Sequence, residues 1–146
     1  MADVATVQSP SSLHEAYSVL AERGNRVKII AGGTDLMVSM NARMSDASEF
    51  LDIWSLDELR GITDESDFLR IGALNTFAEL IPSRLVHESA PALVEAARTV
   101  GAIQIQNRAT IGGNIVNASP AGDSLPVLVA YDAEVEVGSN RGTRRI

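Results

Sequence analysis

Cysteine is absent from the 146-residue chain. Its absence removes disulfides, thiolate iron–sulfur ligands and a cysteine nucleophile from the chemistry this chain can supply. A reducing, cytoplasmic setting fits that composition. Basic clusters are lacking too: the formal net charge is -7, and arginines gather only in the final stretch "RGTRRI". The basic stripe of a nucleic-acid surface is therefore missing. The opening "MADVATVQSP" has neither the basic start nor the apolar core of a signal peptide, and no apolar run reaches bilayer-spanning length. There is no G-x-x-x-x-G-K-[ST] and no G-x-G-x-x-G opening a helix, which leaves a P-loop or a Rossmann dinucleotide site unsupported. His14 and His87 lie in helical segments without a matching ligand cluster, so no metal site is assigned. No Ser-His-Asp or paired-carboxylate spacing exists either, and no catalytic acid, base or nucleophile is named.

What remains is an ordinary globular composition, 45% hydrophobic and 21% charged, enough for one domain or two small lobes. In "SSLHEAYSVLAERG", Ser12 and Glu15 have capping-box spacing, Leu13, Ala16, Tyr17 and Leu20 share one face, and Gly24 ends the element. That pattern predicts a helix. "VKII", Val27 to Ile30, reads as a short buried strand running into "AGGTDL", with a helical piece from about Leu36 and another strand at Phe50 to Ile53. The order suggests a small parallel α/β lobe over residues 1–54. Met37, Met40 and Met44 have helical spacing and are expected in its core.

Beyond Trp54, "LRGITDESDFLRIGAL" reads as an antiparallel hairpin turning at Asp64 to Asp67. Thr76 and Glu79 form a second capping box before Pro82. Pro91 starts a helix that Gly101 ends, and a further helix covers Leu125 to Ala130. The strand "AEVEV" and the first residues of a return strand complete a second lobe over residues 55–146. The chain stops as that hairpin should close, so it is expected to be the front part of a longer protein.

Two glycine pairs share a design: Ala31-Gly32-Gly33-Thr34-Asp35 and Thr110-Ile111-Gly112-Gly113-Asn114. Glycines inside the apolar run "ATIGGNIVNASPAGDSLPVLVA" weaken a strand, so something should offset them. Successive backbone N–H groups without a Cβ in the way form an anion-binding concavity. Two such turns facing each other would grip a pyrophosphate, and the alternative is two tight turns. Asp123 either binds ribose hydroxyls or caps the following helix. Asn114 and Asn117 either contact a ligand or bridge loops.

The segments "IIAGGTDLMVSM", "FLDIWSLDELRGI", "LRIGALNTFAEL" and "QIQNRATIGGNIVNASPAGDSLPVLVAYDAEVEV" resemble the FAD-binding medium subunit of the molybdenum hydroxylases, the xanthine dehydrogenase and carbon monoxide dehydrogenase family. The resemblance implies an α+β, vanillyl-alcohol-oxidase-type FAD fold, with FAD extended between the lobes. By residue it places a first FAD loop on Ile29, Ile30, Ala31, Gly32, Gly33, Thr34, Asp35 and Leu36. It places a second on Thr110, Ile111, Gly112, Gly113 and Asn114, and an acidic contact on Asp123. A contact that is aromatic in some members falls on Val100. Many members have arginine or lysine where this chain has Gln106, and the family subunit continues past Ile146 into a C-terminal lobe. The implied partners are a molybdopterin-binding large subunit and a [2Fe-2S] small subunit. Electrons would pass from the clusters through FAD to an acceptor such as NAD or oxygen. Two other classes stay open: a non-redox nucleotide-binding module, and a cofactor-free scaffold lobe that docks a partner.

Overall fold

A computed structural model describes residues 5–42 and 47–146. In chain order the elements are β1 (Thr6–Gln8), α1 (Leu13–Arg23), β2 (Val27–Ile30), α2 (Thr34–Asn41), β3 (Glu49–Asp52), β4 (Ile62–Asp64), β5 (Leu69–Ile71), α3 (Phe77–Leu80), α4 (Arg84–Ser89), α5 (Pro91–Thr99), α6 (Ile103–Gln106), α7 (Ile111–Asn117), α8 (Ser124–Ala130), β6 (Glu136–Ser139) and β7 (Gly142–Arg145). Contacts divide them into two compact units. One holds the residues up to Ala31 with Asp35–Glu58 and Glu134–Ile146, and the other holds Gly32–Thr34 and Leu59–Ala133. Helix and sheet are mixed in an α+β arrangement, as expected.

The first unit is built on a parallel sheet of order β1-β3-β2, with Thr6 and Val27 both opposite Glu49. Central β3 takes the burial, at Phe50 and Leu51. Edge strand β2 was expected to be buried throughout; only Val27 is, while Lys28 and Ile29 are exposed. β1 has no signal in the sequence, because three residues carry no periodicity. None of the residues of α2 is buried, so Met37 and Met40 are exposed rather than in the core; Met44 lies outside the described residues. The C-terminal hairpin, expected in the second lobe, clusters with this unit instead. Val135 and Ile146 exchange both main-chain hydrogen bonds at its base, at 2.8 and 3.1 Å. Gly138 of β6 meets Tyr17 of α1 so closely that a Cβ would overlap the phenol oxygen.

At the start of α1, Ser12 Oγ accepts from the Glu15 N–H at 3.2 Å. The return arm lands one residue earlier than capping-box spacing suggests: the Glu15 carboxylate accepts from Ser11 N–H at 2.7 Å and from Ser11 Oγ at 2.9 Å. These bonds, the backbone one first, hold the Glu15 carboxyl below its ordinary value. A depressed carboxylate contributes stability above the ordinary glutamate range and loses it as pH falls through the lowered value. Ser11→Ala deletes the hydroxyl and keeps the N–H. An NMR titration of Glu15 is therefore expected to show a partial return toward the ordinary value; an unchanged titration would show that the hydroxyl contributes nothing.

In the second unit β4 and β5 form the expected antiparallel hairpin, with Ile62 opposite Ile71. The full capping box of α3 is present: Glu79 N–H donates to Thr76 Oγ1 at 3.3 Å, and Thr76 N–H to the Glu79 carboxylate at 2.7 Å. α4, capped by Ser83, is the helical segment expected around His87, although its six residues give little pattern from which to read its bounds. The core gathers Phe77 and Leu80 from α3, Val86 from α4, Leu93, Val94 and Ala97 from α5, and Ile111 from α7. Each large side chain buried this way stabilises the unit by about 1.5–3 kcal/mol. Ile62, Leu69 and Ile71 of the hairpin pack against this cluster.

Candidate functional site

The first glycine segment starts in β2, where the Ile30 carbonyl accepts from Ile53 N–H at 3.0 Å. Ala31 lies in a bend, Gly33 adopts φ 79°, and Thr34, Asp35 and Leu36 open α2. Gly33 thus has a conformational reason to be glycine. Gly32 has a different one. A Cβ there would overlap the Arg108 carbonyl oxygen and lie 2.6 Å from its carbon. The Arg108 side chain returns to the same residue, its Nε donating to the Gly32 carbonyl at 3.3 Å. Among the described residues, neither the Gly32 nor the Gly33 N–H donates a hydrogen bond.

The second glycine turn is the start of a helix: Thr110 caps α7, and both glycines fall in its first turn. Its amides are already engaged. Ile111 N–H donates to the Asn75 carbonyl at 3.0 Å, Gly112 N–H to the Ala73 carbonyl at 2.9 Å, and Asn114 N–H to the Thr110 carbonyl at 3.0 Å. Gly113 N–H donates to Thr110 Oγ1 at 3.1 Å. The open concavity expected here is therefore closed by the chain itself, except where a rotatable hydroxyl covers Gly113. Gly112 is glycine because residue 73 packs onto it, its carbonyl 2.7 Å from where a Cβ would sit. Gly113 has no such reason. A Cβ there meets only Thr110 Oγ1, at 2.9 Å. Asn75 Oδ1, buried beside this docking, lacks a partner among the described residues.

Asn114 is tied to the start of α8: its Oδ1 accepts from the fully buried Ser124 hydroxyl at 2.6 Å. That bond fixes which end of the amide is occupied and leaves its NH2 to donate. Asp123 precedes α8 but does not cap it; its backbone is already helical and its side chain makes no cap bond. Its exposed carboxylate instead accepts from Thr99 Oγ1 at 3.0 Å. Asn117 is exposed at the end of α7, next to Ala118 at φ 48°. Gln106 is buried and donates from Nε2 to the Arg98 carbonyl at 3.2 Å, and Val100 belongs to the core cluster. Neither is placed to meet a ligand in the manner the resemblance suggested. Arg108, Thr99 and Ser124 were missed; only the proximity of Arg108 to the second glycine pair pointed to any of them.

Among the described residues there is no group of three or more side chains suited to a metal ion, and no helix long and apolar enough to cross a membrane. The family model described as the FAD binding domain in molybdopterin dehydrogenase matches residues 3–146. The chain belongs to this family. It is 39% identical over 145 residues to a xanthine dehydrogenase FAD-binding subunit of Escherichia coli O157:H7, covering 99% of this chain and 49% of that one. It is 39% identical over 139 residues to the nicotinate dehydrogenase FAD-subunit of Eubacterium barkeri, covering 94% and 47%. The solved carbon monoxide dehydrogenase of Hydrogenophaga pseudoflava lacking the Mo-pyranopterin moiety matches with a TM-score of 0.94 at 33% identity, over 98% of this chain and 50% of that one. The chain thus spans about half the length of the curated relatives it matches. In this chain the two glycine pairs play unequal parts: Gly32 and Gly112 are required by self-packing, Gly33 by conformation, and Gly113 by neither.

Proposed function

We propose that this chain binds FAD as the flavin-carrying part of a molybdenum hydroxylase, an oxidoreductase component. The observation that carries the reading is Gly113, a helical glycine that nothing in the fold demands. A glycine within a helix forfeits up to about 1 kcal/mol relative to alanine, and a ligand approaching the backbone at this first turn supplies the reason. The residues fit a pyrophosphate. The Gly32 and Gly33 N–H groups have no acceptor among the described residues, the Thr110 hydroxyl can turn from Gly113 N–H to a phosphate oxygen, and Asn114 has its NH2 to offer. Asp123 is suited to accept ribose hydroxyls, steadied by Thr99. Ile29, Ile30, Ala31, Thr34, Asp35, Leu36, Ile111 and Gly112 complete the proposed FAD segments as flanks and supports.

Bound FAD supplies reversible electron transfer, and the protein's task is binding, orientation and electrostatics. No side chain of this chain is assigned a proton transfer or a covalent step. The wider setting belongs to the same proposal: a large molybdopterin subunit, a small [2Fe-2S] subunit, and NAD or oxygen as final acceptor. Titration of the protein with FAD, ADP and riboflavin, by flavin fluorescence and calorimetry, tests the reading. Saturable FAD binding stronger than that of riboflavin is expected. Equal affinity for ADP and FAD would favour a plain nucleotide-binding module, and no binding by folded protein would overturn the flavin reading.

A further inference from the structure

Ser124 is fully buried, and its hydroxyl has one bond among the described residues, to Asn114 Oδ1 at 2.6 Å. That separation is ordinary for an O–H donor and short for an N–H donor, so the serine donates and the amide turns its carbonyl inward. The preceding residue, Asp123, reaches the other way and accepts from Thr99 Oγ1 of α5. The link that delivers both residues is tied to itself: Gly122 N–H donates to the Ser119 carbonyl at 2.9 Å, and Ala121 N–H to Ser119 Oγ at 3.2 Å. Joining α7 to α8 does not require a buried hydroxyl–amide pair, because two apolar groups of the same shape would serve stability as well. What only the pair achieves is to fix the free half of Asn114, the residue that follows Gly113.

We propose that Ser124 is a positioning residue: it locks the Asn114 amide with its NH2 outward, so that this position offers a ligand N–H donors and no acceptor. The group it takes is an acceptor, and in a dinucleotide the pyrophosphate is the densest run of acceptors. Without the lock the amide turns over, and each turn that brings Oδ1 outward sets a carbonyl dipole against the phosphate charge. The competent state is then only fractionally populated, and apparent affinity falls by that fraction. Holding the loosened side chain still on binding lowers it further. The inference rests on the nucleotide reading of the site. It goes beyond that reading by assigning part of the phosphate affinity to a hydroxyl that is itself out of the ligand's reach.

The test compares the protein with Ser124→Ala, Asn114→Ala and the double variant, each checked for folding by circular dichroism and titrated with FAD, ADP and riboflavin. Ser124→Ala is expected to weaken FAD and ADP about fivefold, and to bind riboflavin, which has no phosphate, as the parent does. In the Asn114→Ala background the same substitution is expected to change FAD affinity by less than about twofold, since no amide is left to orient. NMR of the Asn114 side-chain NH2 in ligand-free protein reads the lock directly: ordered in the parent, mobile in Ser124→Ala. Unchanged FAD affinity in Ser124→Ala, or an equal loss in both backgrounds, would overturn the proposal. A loss shared by riboflavin, or an Asn114 NH2 as mobile in the parent as in the variant, would overturn it too. Failure of the parent to bind FAD or ADP is told apart because it needs no variant: it removes the nucleotide reading, and the ligand role of Ser124 with it.

Discussion

Gly32→Ala is expected to destabilise the protein by about 3 kcal/mol, the upper end for a forced overpacking, lowering Tm by roughly 6–12 °C. The new methyl would overlap the Arg108 carbonyl oxygen, a backbone atom that cannot rotate aside. Relief would have to come from moving the main chain on one side of the contact, and residues 108–109 are anchored. Arg108 N–H and Ala109 N–H both donate to the Ile105 carbonyl, at 2.9 and 2.7 Å, and the Ala109 carbonyl accepts from Phe77 N–H at 3.1 Å. Phe77 is in turn fully buried in the core of the unit. The strain therefore falls on the 32–34 turn, and the Arg108 Nε bond should be lost with it. Gly33→Ala, one residue on, meets a different obstacle. At φ 79° it asks an alanine to hold a left-handed conformation, at about 1–2 kcal/mol. Thermal unfolding of the two variants side by side checks the order. A Gly32→Ala protein that melts with the parent would show that the turn does not pack on Arg108 in solution.

The elements that announce themselves in the sequence are those whose signals are local. Thr76 and Glu79 form the capping box their spacing implies, Pro91 begins α5, and Asp64 to Asp67 turn the hairpin. The parallel order of β2, α2 and β3 follows from their alternation. The glycine motifs are legible as motifs, and through them the family, but not the reason for each glycine. A glycine packed against distant backbone looks the same in sequence as one facing a ligand. The partner atoms lie at residue 108 for Gly32 and at residue 73 for Gly112, separations no local pattern encodes. The capping role open to Asp123 fails for a related reason. It stands where a cap belongs, yet its backbone has already turned helical, and a hydroxyl on α5 takes its carboxylate. The glycine turn expected in "ATIGGNIV" is the first turn of α7 itself, because residues 73 and 75 accept its first two amides, long-range bonds that hold it in helical form despite two glycines.

Gly112→Ala and Gly113→Ala are expected to have opposite effects, although the residues are adjacent in one helical turn. At 112 a Cβ would lie 2.7 Å from the Ala73 carbonyl oxygen and 2.8 Å from the Ala73 Cβ. The same carbonyl is bonded to Gly112 N–H, and the next residue, Leu74, is buried with its N–H on the Leu59 carbonyl. Neither side can retreat without breaking a main-chain bond, so a loss of about 2 kcal/mol is expected, visible as a lower midpoint in urea. At 113 the Cβ meets only the Thr110 hydroxyl, which can rotate away. Losing that cap contact costs about 1 kcal/mol, and replacing glycine by alanine in a helix returns nearly as much. Stability should stay within about 0.5 kcal/mol of the parent, in the range of a substitution that disturbs no buried contact. FAD affinity should nonetheless fall tenfold or more, because the methyl fills the space the ligand needs and keeps a phosphate from Gly113 N–H. Urea denaturation and FAD titration of both variants read the two effects separately. If Gly113→Ala folds and binds FAD as the parent does, the start of α7 does not face the flavin's pyrophosphate. The ligand contacts would then have to come from the Gly32–Gly33 turn, where two amides still lack an acceptor among the described residues.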